Sequence, residues 1–125
     1  MLPPSDSVDP LTDVNGVLAK RSIFFDYDDY SVGEQGRRVI EHHAGYLNQN
    51  RGRRIVIQGH TDERGGTEYN LALEQRRAEA VRRSLSALGV TAGQMEAVSL
   101  GEVKPRGIGS GEANWSQNRR ADIVY

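Results

Sequence analysis

The stretch Arg53-Arg54-Ile55-Val56-Ile57-Gln58-Gly59-His60-Thr61-Asp62-Glu63-Arg64-Gly65-Gly66 passes from an apolar run into glycine-punctuated charge within a few residues. Behind it, Asn70-Leu71-Ala72-Leu73-Glu74-Gln75-Arg76-Arg77-Ala78 has helical spacing. The unbroken centre Ile55-Val56-Ile57 is the pattern of a strand buried on both faces. A strand that leaves through a polar loop into a helix is a building block of layered α/β domains, and binding groups collect at such junctions. The rest of the chain is read around this one.

The strand is expected over Arg53–Gln58. The helix is expected from about Glu68 to Leu88, with Leu71, Ala78, Val81, Leu85 and Leu88 as its apolar stripe and Gly89 as a left-handed stop. Upstream, Ser22-Ile23-Phe24-Phe25 reads as a first strand ending in the acidic cluster Asp26-Tyr27-Asp28-Asp29-Tyr30. Ser31-Val32-Gly33-Glu34 has the spacing of a capping box, so a first helix is expected over residues 32–49. His42 and His43 are adjacent on that helix and are expected at solvent or rim positions.

Downstream, Met95–Leu100 reads as a third strand and Arg120–Tyr125 as a fourth. Between them lies a glycine-rich segment, Gly101 to Asn118, long enough to hide a helical turn at about residues 111–117. The resulting order is β-α-β-α-β-β. It predicts an α+β fold, a two-layer sandwich with a mixed four-stranded sheet and the helices packed on one face. Residues 1–20 hold three of the four prolines and little apolar periodicity, so they are expected to form a flexible tether, with the domain at 21–125.

Composition excludes several functions. Sixteen basic and 17 acidic residues give a formal charge of −1, which predicts no strong pull on nucleic acid or an anionic membrane. The chain has no cysteine, which removes disulfides, thiolate metal sites and cysteine nucleophiles. No apolar run approaches the roughly 20 residues of a membrane span. His60 and Asp62 lack further ligands at zinc spacing, so neither metal nor cofactor is expected. No nucleophile elbow or phosphate-cradling glycine pattern occurs, so the chain does not read as an enzyme. Solvated faces explain most of the arginines in the basic clusters at Arg51/Arg53/Arg54, Arg76/Arg77, Arg82/Arg83 and Arg119/Arg120.

The remaining candidate is a charge pair. Asp62 follows a buried strand, and Arg77 lies two to three turns into the next helix, on one stripe with Asn70 and Leu73. Helical side chains lean toward the helix N-terminus, so Arg77 can reach back toward the loop. A carboxylate and a planar guanidinium together suit the ammonium and carboxylate of an amino acid. A structural Asp62–Arg77 salt bridge, or an Asp62 that caps its own turn, fits the same spacing. An adaptor that docks a protein through Tyr27, Tyr30 and Trp115 is a third possibility.

Gly59-His60-Thr61-Asp62-Glu63-Arg64-Gly65, Glu68-Tyr69-Asn70-Leu71-Ala72-Leu73, Arg76-Arg77-Ala78 and Asn118-Arg119-Arg120-Ala121 resemble the OmpA C-terminal-like family, in particular its peptidoglycan-associated lipoprotein branch. The resemblance covers Ser22 to Tyr125. It implies a non-catalytic domain that binds the peptidoglycan stem peptide at meso-diaminopimelate, through Asp62 and Arg77. Phe25, Asp26 and Tyr27 would contribute from the first strand's end, with Arg64, Thr67, Asn70 and Leu73 at the rim. It also implies TolB as a partner, and a place on the periplasmic face of the outer membrane, held by a lipidated N-terminal cysteine that this chain lacks. The chain departs from the family pattern at Gly66-Thr67, at Glu74 and in the loop Arg106–Trp115.

Overall fold

The computed structural model describes residues 9–62, 67–99 and 111–125. Four strands and three helices follow in the order β1 (Ser22–Phe24), α1 (Glu34–Gln49), β2 (Ile55–His60), α2 (Thr67–Ala87), β3 (Met95–Ser99), α3 (Glu112–Asn118) and β4 (Arg120–Val124). The strands form one mixed sheet in the order β1-β4-β2-β3. β2 and β3 are parallel, while β4 runs antiparallel to both β1 and β2. The α+β sandwich expected from the sequence is the fold observed.

Strand alternation decides which face is covered. Ile23, Ile57, Ala121 and Ile123 are fully buried and pack with Val39, Ile40, Ala44 and Leu47 of α1 and Ala78, Val81 and Leu85 of α2. Each fully buried Ile or Leu contributes about 1.5–3 kcal/mol. Gly59 lets the layers approach this closely. A Cβ there would stand 1.8 Å from the carbonyl oxygen of Glu74, so α2 crosses β2 at that residue. Gly89 adopts φ +100 just past α2, the left-handed stop expected of it, and Val90 donates its N–H back to the Leu85 carbonyl.

Several boundaries differ from the sequence expectation, each for a local reason. α1 begins at Glu34 behind an extended Gly33 without a side-chain cap, because the carboxylate of Asp29 already accepts the Ser31 N–H at 2.8 Å in a turn of its own. The expected Ser31–Glu34 capping box therefore does not open the helix. β2 starts two residues later than expected and runs on through Gly59 and His60, which pair with Ala121 and Arg120 of β4. Arg53 and Arg54 lie outside it, exposed. In α2, Leu71 is half-buried and Leu88 is 43% exposed, whereas Leu73, Glu74 and Arg77 face inward. The first turns of α2 thus face a polar site rather than the apolar core.

His43 is the clearest reversal. It is completely buried, not at the rim, with Nε2 2.8 Å from the Lys20 carbonyl and Nδ1 2.5 Å from the Tyr125 hydroxyl. A carbonyl only accepts, so Nε2 carries the proton and the tyrosine hydroxyl donates to Nδ1. Leu18 is buried in a 3₁₀ turn at Val17–Ala19, and Arg21 donates to the carbonyls of Leu18 and Leu11.

Candidate functional site

At the carboxyl ends of β1 and β2, the β1–α1 loop, Thr61-Asp62 and the first turns of α2 enclose a small cleft. Tyr27, Asp28, Thr61, Asp62, Tyr69, Asn70, Leu73 and Arg77 line it. The topology produces this placement. β1 and β2 both end here, β4 begins here, and α2 starts here and crosses back over β2 at Gly59.

Arg77 is the centrepiece and is fully buried. Its Nε donates to the Asp29 carbonyl at 2.8 Å, Nη1 to the His60 carbonyl at 2.9 Å and Nη2 to the Asp26 carbonyl at 3.1 Å. The guanidinium thus ties two loop carbonyls and the end of β2 to α2. The Phe25 ring lies beneath it, 5.3 Å from the guanidinium carbon. Burial lowers the Arg77 pKa to about 10, with the neighbouring Asp62 opposing the shift, so the side chain stays charged at neutral pH. Three of its five N–H groups are engaged by these carbonyls.

Asp62 is 5% exposed, and its Oδ2 lies 3.7 Å from Nη1 of Arg119. Arg119 is itself buried. It donates from Nε to the Phe25 carbonyl at 3.0 Å and holds Glu112 with both Nη atoms at 3.1 and 2.6 Å. α3 therefore braces the floor of the cleft through Glu112. On the open rim, the Tyr69 hydroxyl donates to Asp28, which adopts the left-handed φ of +54. Behind the cleft, Thr61 donates to the buried Glu74 carboxylate at 3.2 Å.

Of the residues proposed from sequence, Asp62, Arg77, Tyr27, Asn70 and Leu73 meet in this cleft. Phe25 and Asp26 act from behind it, Phe25 as a buried support and Asp26 through its carbonyl. Thr67 is the exposed first residue of α2 and does not line the cleft, and Arg64 and Gly66 lie outside the described residues. Asp28, Thr61, Tyr69 and Arg119 were not anticipated as site residues, although all four lie within the quoted motifs. His60 turns to the other face of the sheet, where Nε2 is 3.4 Å from Asp122. Burial alone would raise the Asp122 pKa; hydrogen bonds from His60 and Ser22 and the charge of Arg120 override it and hold it at about 2. Trp115 is half-buried rather than exposed.

Residues 24–120 match the model of the OmpA family. The chain belongs to that family. A crystal structure of the peptidoglycan-associated lipoprotein from Burkholderia pseudomallei superposes with a TM-score of 0.90 at 62% identity, covering 94% of this chain and 99% of that one. The peptidoglycan-associated lipoprotein of Pasteurella multocida is 46% identical over 104 residues, 83% of this chain and 69% of the relative. That of Pseudomonas aeruginosa is 42% identical over 113 residues, 90% of this chain and 67% of the relative.

Proposed function

We propose that the domain binds peptidoglycan non-covalently through its stem peptide, with the free end of meso-diaminopimelate seated in the cleft. One observation carries the reading: a buried carboxylate, Asp62, and a buried guanidinium, Arg77, both open onto one small cleft. Asp62 takes the ligand ammonium. Arg77 offers its remaining N–H groups to the ligand carboxylate, assisted by the positive end of the α2 dipole. Tyr27, Asn70 and Leu73 set the walls, and the exposed Thr67 sits farther out at the start of α2. The relatives are named peptidoglycan-associated lipoproteins, which supports peptidoglycan as the ligand and a lipid anchor. The proposal extends to a place on the periplasmic face of the outer membrane, where the domain links membrane to wall with TolB as a partner.

The test is co-sedimentation with purified cell-wall sacculi, with free diaminopimelate as competitor. Asp62→Asn keeps the shape and removes the charge. Losing one partner of a desolvated ionic contact costs about 2–5 kcal/mol, so retention should fall well over tenfold. Free diaminopimelate should displace the wild-type protein. Retention by Asp62→Asn equal to wild type, or indifference to the competitor, would rule out the cleft as the binding site.

A further inference from the structure

The charges that the cleft does not use collect at the opposite end of the sheet. Arg51, Arg53 and Arg54 form the turn between α1 and β2, and all three are exposed. The strand registers bring Lys20 and Arg21 to the same end. Ser22 is opposite Asp122, and β4 runs on from there to Val124, which lies opposite Val56. The turn is firmly held, since the buried Gln94 side chain donates to the carbonyls of Leu47, Asn50 and Arg53. The six residues of β2 separate this end from the cleft by about 20 Å.

Among the described residues, none of these five cations forms an ion pair with a side-chain carboxylate, whereas Arg119 and Arg120 at the cleft end both do. The acids on the basic side include Glu96, level with Val56, Glu34, which lines one cavity with Lys20 and Arg21 and pairs with Arg38, and Asp9 and Asp13, whose carboxylates accept backbone N–H groups of their own turns. At the cleft end lie Asp26, Asp28, Asp29, Asp62 and Glu112. Those acids stand beside Arg77, Arg119 and Arg120, so charge is largely matched at the cleft end, whereas the exposed arginines of the α1–β2 turn have no carboxylate partner among the described residues.

We infer that this basic end docks on an anionic lipid surface and so points the cleft away from that surface. The cations are spread across the ends of strands rather than along a groove, which suits a plane of headgroup charge better than a threaded polyanion. The chain also enters the folded body on this side, through residues 11–21. The inference stands apart from the cleft's ligand.

The experiment is co-sedimentation of the full chain with phosphatidylcholine vesicles, with and without phosphatidylglycerol, at low and at physiological ionic strength. Wild-type protein is expected to partition onto the anionic vesicles only and to be released by salt. Each exposed arginine near such a surface adds about fivefold, so Arg53→Gln with Arg54→Gln should lower partition by roughly 25-fold. The double variant should keep its circular dichroism and its retention on sacculi. Arg37→Gln with Arg38→Gln removes the same charge from the start of α1 and should leave partition nearly unchanged. The inference is overturned by absence of wild-type partition at low salt, by full partition of the Arg53/Arg54 variant, or by equal loss from the Arg37/Arg38 variant. Equally tight binding of a single-stranded oligonucleotide in the same buffer would overturn it too.

Discussion

The two ends of the sheet use arginine in opposite ways. At the cleft end Arg77, Arg119 and Arg120 are at most 6% exposed, and each is held by carbonyls or carboxylates. At the other end Arg51, Arg53 and Arg54 are exposed. A buried guanidinium has lost its hydration and must recover it from fixed acceptors, so it becomes a structural part of whatever it binds. An exposed one keeps its water and is a replaceable unit of charge. Binding specificity and fold stability are therefore entangled at one end and separable at the other.

The sharpest way to break this contrast is Arg77→Ala. It strands three carbonyls, those of Asp26, Asp29 and His60, behind a cavity. A loss of about 3–5 kcal/mol is expected, measured as a lower urea midpoint, together with loss of sacculus binding. Arg77→Lys keeps the charge but cannot reproduce the three-way fork, so it should recover only part of either property. An unchanged midpoint in Arg77→Ala would show that its carbonyl contacts carry no stability.

Gly59→Ala tests the crossing that aims α2 at the cleft. The added methyl would meet the Glu74 carbonyl at 1.8 Å, against helix backbone that cannot swing aside. Overpacking of this kind costs about 1–3 kcal/mol, and the upper end is expected here. Because α2 must shift to make room, binding should weaken even though no ligand contact is changed. Stability loss without any change in binding would mean that the crossing does not aim the site.

Most of the fold was legible because periodicity reports burial directly. Ile55 and Ile57 are buried as the pattern predicts, whereas Val56, on the face away from the helices, is only half-buried because the fold has two layers; Gly89 ends its helix as expected. The cleft was half legible. Asp62, Asn70, Leu73 and Arg77 share one local junction, so spacing could bring them together. The acceptors of Arg77 could not be read this way, because they lie 48, 17 and 51 positions away and are backbone atoms, which leave no mark on residue identity. Leu88 was misread because a leucine one residue past the last helical turn continues the stripe without continuing the helix. His43 was misread because its two partners stand 23 and 82 positions away, and only the closed sheet assembles them.

His43 supplies the gentlest test, since it is a buried polar group at the end where the arginines are exposed. Burial depresses its pKa below the ordinary 6.5, the Lys20 carbonyl partly opposes this, and the charges of Arg21 and His42 add to the depression. The sign follows directly. The unfolded chain takes up a proton as pH falls below about 6.5, while the folded chain resists it, so the stabilisation present above that pH is lost on acidification toward the folded value. A carboxylate such as Asp122, held at about 2, loses its contribution only at far lower pH. The urea midpoint of the wild-type protein should therefore fall between neutral and mildly acidic pH. That of His43→Gln, which keeps a donor for the Lys20 carbonyl and cannot titrate, should fall less. A proton forced onto Nδ1 also stops the Tyr125 hydroxyl from donating there, so the loosening should begin where Lys20 and Tyr125 meet. Amide exchange would then rise first in Lys20–Ser22 and Val124–Tyr125, ahead of the cleft. Exchange that rose first around Asp26–Asp29 would place the acid-sensitive contact at the wrong end of the sheet.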